Sequence, residues 1–423
     1  MNYISAPQIQ NPELKELDAK VADFHKLSAR YFNSLPNLHG RQIYGAKLSE
    51  LLNEIDKIKP DGKFDELVLR NIESNLRLND VVIDYLVNPT CSLSVREFID
   101  TAAGEGTFDY LEDKVKSAPW KERWENLEKT QERSFRKVSP FTEEAQQAAK
   151  EWKHRIEEDI ISYGKKEGYL PEDFQMSVLL LPPKEGSEYS SWNSQTNVFS
   201  LGSYTFEFLH DGGKVVALPT KAYNIAFHEV FGHGGHQIFS KQLPLSLRFT
   251  EEVGAITPTK SITEGVAINR ERQGYKFLRK RLNEIGLTED DVNLLEEEDM
   301  LEGQTRLEYM YYALLKDREL KEKGFDSYEH LLGLTQNPVI ARKVKHDFKA
   351  GFEDIWGSFG HTFGPLHYQA MLDQIKDELE ENPTGEELRR LHQATSTGVW
   401  SWEIYPEAVK YFLKNPQGEK KDA

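Results

Sequence analysis

Apolar positions at three-to-four spacing dominate the first part of the chain. Leu14, Leu17, Val21, Phe24 and Leu27 share one helical face, and Leu48, Leu51, Leu52 and Ile55 and then Ile72 and Leu76 repeat the pattern. It predicts an amphipathic helical lobe over residues 1–165. The aromatic and charged stretch around Trp120, Trp124, Phe135 and Phe141 closes the lobe, its rings read as core. Ser139-Pro140-Phe141-Thr142 reads as a linker, and Thr142-Glu143-Glu144 as the next helix start. From Gly168 the texture changes to short apolar runs. Residues 176–181, ahead of Pro182-Pro183, read as a buried strand, and residues 197–201 and 215–218 as two more. The polar residues 189–194 and Asp211-Gly212-Gly213 read as turns between them. Ala222, Ile225 and Ala226 then give a following helix its buried flank. Helical periodicity resumes with Ala267, Ile268, Tyr275 and Leu278. The expectation is a mainly α protein with a small β-sheet, of the α+β class, in three parts: a helical lobe at 1–165, the sheet with its helix at 166–260, and a helical part at 261–423.

Composition narrows the function. A net charge of -17 argues against a nucleic-acid partner or an anionic membrane surface. The one cysteine, Cys91, excludes an intramolecular disulfide and suits a reducing compartment. The first residues carry no basic segment followed by an apolar one, and no run approaches membrane-spanning length, so a soluble cytoplasmic protein is expected. The sequence leaves the oligomeric state open.

The chemistry concentrates in residues 227–239. Three of the twelve histidines, His228, His233 and His236, fall there, with Glu229 directly after the first. A hydrolytic zinc site needs imidazoles on one face, a further ligand from elsewhere, and a carboxylate that touches the metal's water instead of the metal. His-Glu-x-x-His on a helix meets the local part of that demand. Here the spacing is His-Glu-x-x-x-His, and at ~100° per residue five steps turn the second imidazole about 140° away from the first. One extra residue taken up as a π-bulge restores the common face. Gly232, Gly234 and Gly235 each cost about 1 kcal/mol in a helix interior relative to Ala, so local stability has been given up for geometry.

The segment His228-Glu229-Val230-Phe231-Gly232-His233-Gly234 resembles the His-Glu-x-x-Gly-His-Gly motif of dipeptidyl peptidase III, a zinc peptidase family of the gluzincin kind. Downstream, Glu264-Gly265-Val266-Ala267 is similar to the gluzincin element that supplies the third ligand, with Thr263, Val266 and Ile268 departing from the dipeptidyl peptidase III pattern. The resemblance implies a zincin-like metallopeptidase with one zinc ion per chain, held by His228, His233 and Glu264, and Glu229 as general base on short peptides. Glu251-Glu252-Val253-Gly254-Ala255 is a rival source of the third ligand, although Gly254 and Pro258 break its helix. His236 is either a support behind a ligand or an ordinary core or surface histidine.

Other site residues are expected at three places. Val198 and Phe199 lie on a candidate edge strand, able to pair with an extended peptide. Arg306 or Tyr309, in a segment similar to a family helix past the ligand Glu, could touch substrate. The Gly-rich loop at 357–368 offers His361, His367 and Tyr368, of which His367 and Tyr368 are read as catalytic donors to the oxyanion and His361 as a substrate contact. The acidic runs 289–291 and 296–299 read as solvated faces. Two other classes share some of these ingredients: an inactive metallopeptidase-like protein that binds peptides, and a two-histidine, one-carboxylate iron oxygenase. The second gives no reason for Glu229 to sit beside His228.

Overall fold

A computed structural model describes residues 7–31, 38–87, 91–117, 138–181, 190–249, 260–323, 329, 332–333, 352–379 and 385–415. The expected faces are the buried ones. Leu14, Leu17, Val21, Phe24, Leu48, Leu51, Ile55, Ile72 and Leu76 are all core residues. They lie on helices α1 (Pro12–Tyr31), α2 (Leu38–Ile55) and α3 (Lys63–Val87). Helix α4 (Val95–Ala103) starts at a capping box: the Ser94 side chain accepts from Glu97 N–H while the Glu97 carboxylate accepts from Ser94 N–H. After α5 (Thr107–Ser117), Thr142 caps α6 (Glu143–Glu167) as its sequence predicts, and Gly168 ends that helix in the left-handed region at φ 80°. Trp120, Trp124 and Phe135 lie outside the described residues, and Phe141 is exposed.

The sheet differs from expectation in one respect that matters for the site. Strands β1 (Ser177–Leu180), β2 (Ser191–Asn193) and β3 (Val198–Leu201) form a sheet of order β1-β3-β2. β3 pairs in parallel with β1 and antiparallel with β2, so Val198 and Phe199 are central, and Phe199 is fully buried. The edge beside the motif helix is β2, inside a stretch that reads as a turn. Three residues are too few to show an alternating pattern, and the Asn193 side chain turns the chain back by accepting from the backbone N–H groups of Gln195 and Thr196. A separate hairpin pairs β4 (Glu207–Asp211) with β5 (Lys214–Leu218) through Gly212 and Gly213, both at positive φ.

The motif helix follows as α7 (Ala222–Ala226), a π-helical stretch (Phe227–Gly234) and α8 (Gly235–Ser240). The remaining described helices are α9 (Lys260–Arg279), α10 (Leu282–Ile285), α11 (Glu289–Lys323), α12 (Phe352–Ile375), α13 (Gly385–Thr395) and α14 (Tyr405–Lys414). One core joins α1 to α3 with Ile262 and Val266 of α9, Met371 and Ile375 of α12, and α14. A second packs α6, the strands, the motif helix and Tyr275, Phe277 and Leu278 of α9. A third joins α4 and α5 to Met310 of α11 and to Phe359 and Phe363 of α12. Helices α9 and α12 thus each face more than one core, and the N-terminal and C-terminal helices share apolar packing. Among the described residues no helix is long and apolar enough to cross a membrane.

Candidate metal centre

The extra residue of the His-Glu-x-x-x-His motif is absorbed as the sequence predicts. Residues Phe227–Gly234 wind as a π-helix, and the Gly235 N–H reaches back five residues to Val230 O. A ladder that closes five residues back places residues five apart on one face. His228 and His233 therefore both turn toward helix α9, their ring centroids 5.0 Å apart.

Two of the three motif glycines are there for close approach. A Cβ on Gly232 would stand 2.5 Å from both Cα and Cβ of Ala267, and one on Gly234 would stand 3.2 Å from the Trp192 ring. The first crossing lays the motif helix on α9 within reach of Glu264. A second does the same for α12. A Cβ on Gly265 would run into the backbone of Gly364, and one on Gly364 into Ser261 O and the Gly265 backbone. Gly265 follows Glu264 and Gly364 lies one turn past His361, so the crossing brings that carboxylate and that imidazole together.

At the centre is Glu264 Oε2. His228 Nε2 and His233 Nε2 each lie 3.6 Å from it, and His361 Nε2 lies 3.2 Å from it. Among the described residues, ligand atoms of His228, Glu264 and His361 all fall within 4.8 Å of one another, and the expected ligand His233 is not in that group. The Glu264 side chain is only 7% exposed, yet its Oε2 accepts no hydrogen bond of good geometry. Burial pushes the Glu264 carboxyl up, but His361, His233 and His228 together hold it well below the usual carboxylate range. Burial pushes the His228 imidazole down, and Glu264 and Glu271 outweigh it and hold its pKa well above the ordinary value. Glu271 Oε2 sits 3.0 Å from His228 Nδ1 and fixes the ring from behind. Phe249 stacks on His233 with ring centroids 5.7 Å apart.

Glu229 stands beside this cluster. It is part-buried, and burial pushes its carboxyl up to about 7. Its carboxylate accepts from the backbone N–H of Trp192, on the outer edge of β2. Trp192 also donates from its indole to Gln237 Oε1 at 3.2 Å, which ties the edge strand to α8.

Several expected residues lie elsewhere. His367 is buried, with Nδ1 2.9 Å from Ser261 Oγ and Nε2 2.8 Å from Ala103 O, and burial pushes its pKa down to about 4. Both nitrogens are committed to the protein, so it is placed as a core histidine and not as an oxyanion donor. Tyr368 is buried in the core shared by α1 to α3 and α14. The residues around them form helix α12 instead of a loop, Pro365 included. Val198 and Phe199 lie on the central strand, removed from any edge. Arg306 pairs with Glu302 at 3.6 Å on a half-exposed flank of α11, and Tyr309 is fully buried. His236 is fully buried, its ring against Phe249. The rival residues Glu251 and Glu252 lie outside the described residues. The acidic run at 296–299 is partly turned inward: Glu298 pairs with Lys221 at 2.8 Å and Asp299 accepts from Tyr275, with burial pushing the Asp299 carboxyl up to about 8.

Glu271 carries no motif of its own in the sequence. Its one signal is the seven-residue step from Glu264, about two helical turns, which keeps both carboxylates on one face of α9. His361, expected as a substrate contact, lies 3.2 Å from the carboxylate expected as a metal ligand, and its one signal in the sequence is its neighbourhood of glycines.

No protein-family model matches the sequence, and no curated protein matches it. Among solved structures the chain is similar to one titled "The crystal structure of the putative lipoprotein from Colwellia psychrerythraea", with a TM-score of 0.47 and 12% identity over 93% of this chain. The chain spans 66% of the length of that structure.

Proposed function

We propose that this chain is a zinc-dependent metallopeptidase of the zincin kind, distantly similar to dipeptidyl peptidase III and acting on short peptides. One observation carries the reading. Histidines five residues apart are brought onto one face by π-helical winding, and both turn to a buried glutamate oxygen that, among the described residues, accepts no hydrogen bond of good geometry.

His228, His233 and Glu264 would hold the ion. Two imidazoles and a carboxylate are a donor set that zinc takes. When bound, zinc acts as a Lewis acid on a carbonyl and lowers the pKa of a coordinated water to roughly 7. The work of the chain's own residues follows from their placement. Glu271 fixes the ring of His228 through Nδ1 and leaves Nε2 for the metal. Glu229, next to His228 yet outside the donor set, takes the proton of the attacking water and returns it to the leaving amine. The Trp192 N–H orients that carboxylate.

The test compares the parent with Glu229→Gln by elemental analysis and by turnover of dipeptidyl, aminoacyl and internally quenched peptides. One equivalent of zinc is expected in both proteins, with turnover in the variant reduced by about 100-fold or more. Hydrolysis by the variant at the parent's rate would falsify the mechanism.

A further inference from the structure

We infer that His361 is a fourth protein ligand of the metal, so that the resting site is a closed set of three imidazoles and one carboxylate. This rests on the metallopeptidase reading above and deepens it. In a tetrahedral zinc site with bonds of about 2.0–2.1 Å, neighbouring ligand atoms stand about 3.3 Å apart. The three edges that meet at Glu264 Oε2 are 3.2, 3.6 and 3.6 Å, close to that length, and His361 is the nearest of the nitrogens. Its ligand atom, with those of His228 and Glu264, falls in one group within 4.8 Å, to which His233 does not belong.

Hydrogen bonding does not account for the cluster. A carboxylate oxygen offers two lone pairs, too few for three N–H donors, and an imidazole nitrogen without its proton would only repel it. The 3.6 Å separations of His228 and His233 are too long for such a bond, and among the described residues Oε2 accepts none of good geometry, His361 included. A cation held by Glu264 Oε2 and the imidazoles around it satisfies that oxygen.

The position of His361 is also fixed by the backbone. Gly364 meets Gly265 with no room for a Cβ on either, which locks the turn of α12 that carries His361 against the turn of α9 that carries Glu264. The His361 ring lies parallel to that of His228, at 8° and 6.2 Å between centroids. With its side chain 30% exposed, against 11% for His228, 16% for His233 and 7% for Glu264, His361 stands at the mouth of the site. It is therefore the ligand whose departure leaves a place for water or a substrate carbonyl.

The experiment uses the full chain loaded with Co2+, whose visible spectrum reports coordination, and titrates affinity against a chromophoric chelator. The proteins are the parent, His361→Ala and His361→Cys, with far-UV circular dichroism to establish folding. In His361→Ala, affinity is expected to fall by about tenfold or more, and the intense visible bands of four-coordinate cobalt to weaken. In His361→Cys, a thiolate-to-cobalt charge-transfer band is expected in the near-UV, and this variant decides alone if the alanine variant does not fold. Parent-like affinity and spectrum in His361→Ala, with no thiolate band in His361→Cys, overturn the fourth ligand and leave the peptidase reading standing. A parent that binds neither cobalt nor zinc overturns both.

Discussion

Glu271 Oε2 lies 3.0 Å from His228 Nδ1, and the helix that carries it also carries Glu264, seven residues earlier. Helix α9 therefore presents one carboxylate to the proposed metal and another to the back of a ligand. A partner of the second kind sets the ring orientation and raises the basicity of the ligating nitrogen. Glu271→Gln is expected to weaken zinc affinity by about 10–100-fold, read by competition with a chelating dye, with the fold retained.

Gly265 and Gly364 touch backbone to backbone, whereas among the described residues nothing lies within 4 Å of where a Cβ on Gly303 of α11 would stand. Alanine at Gly265 forces the helices apart and is expected to cost about 1–3 kcal/mol, together with loss of metal binding. Alanine at Gly303 is expected to be neutral or to stabilise by up to about 1 kcal/mol through helix propensity. Urea unfolding of the two variants beside the parent distinguishes a packing glycine from a tolerated one.

Acid is expected to destabilise the fold through buried neutral histidines. Burial pushes His367 and His25 each from 6.5 down to about 4. As pH falls below 6.5 the unfolded chain binds protons that the native state refuses until about 4, so stability is present above 6.5 and lost between 6.5 and 4. At pH 5 each residue accounts for about 2 kcal/mol of that loss relative to pH 8. Denaturant melts of the parent and His367→Asn across this range check the sign, since the variant must show the shallower pH dependence.

Arg270 is buried and gives two hydrogen bonds from Nη2, to His392 O at 3.2 Å and Thr395 Oγ1 at 2.8 Å, near the C-terminal end of α13. The negative end of that helix suits the cation. Its guanidinium lies over the ring of Tyr169, which stacks on Phe231 inside the π-helical stretch. Thr395→Val keeps the shape and leaves a charged donor short of a partner, so a loss of about 1–3 kcal/mol is expected in thermal or urea unfolding.

The parts of this architecture that follow a period were legible in the sequence. Leu14, Leu17 and Val21 show a helical face because burial repeats every three to four residues, and Thr142 shows a helix start because capping is local. The π-helix was legible from arithmetic: one residue too many between His228 and His233, with glycines beside it. What was not legible depends on crossings between distant segments. Nothing near His361 specifies that its helix meets α9 at Gly265, and His367, six residues on, points into the core instead. Strand β2 is not legible because three residues carry no readable alternation, and the identity of the edge strand depends on it.

The contact between Gly265 and Gly364 has one more consequence. Most distances in a protein interior are set by side chains that can change rotamer, so they drift when the packing around them is altered. Here the spacing of the turn that carries Glu264 and the turn that carries His361 is set by two peptide backbones at their limit of approach, which no rotamer change can alter. The spacing of these two turns is thereby insulated from substitutions in the surrounding apolar core. Leu or Ile exchanges in the three cores can shift the stability of the molecule while the two turns keep their distance.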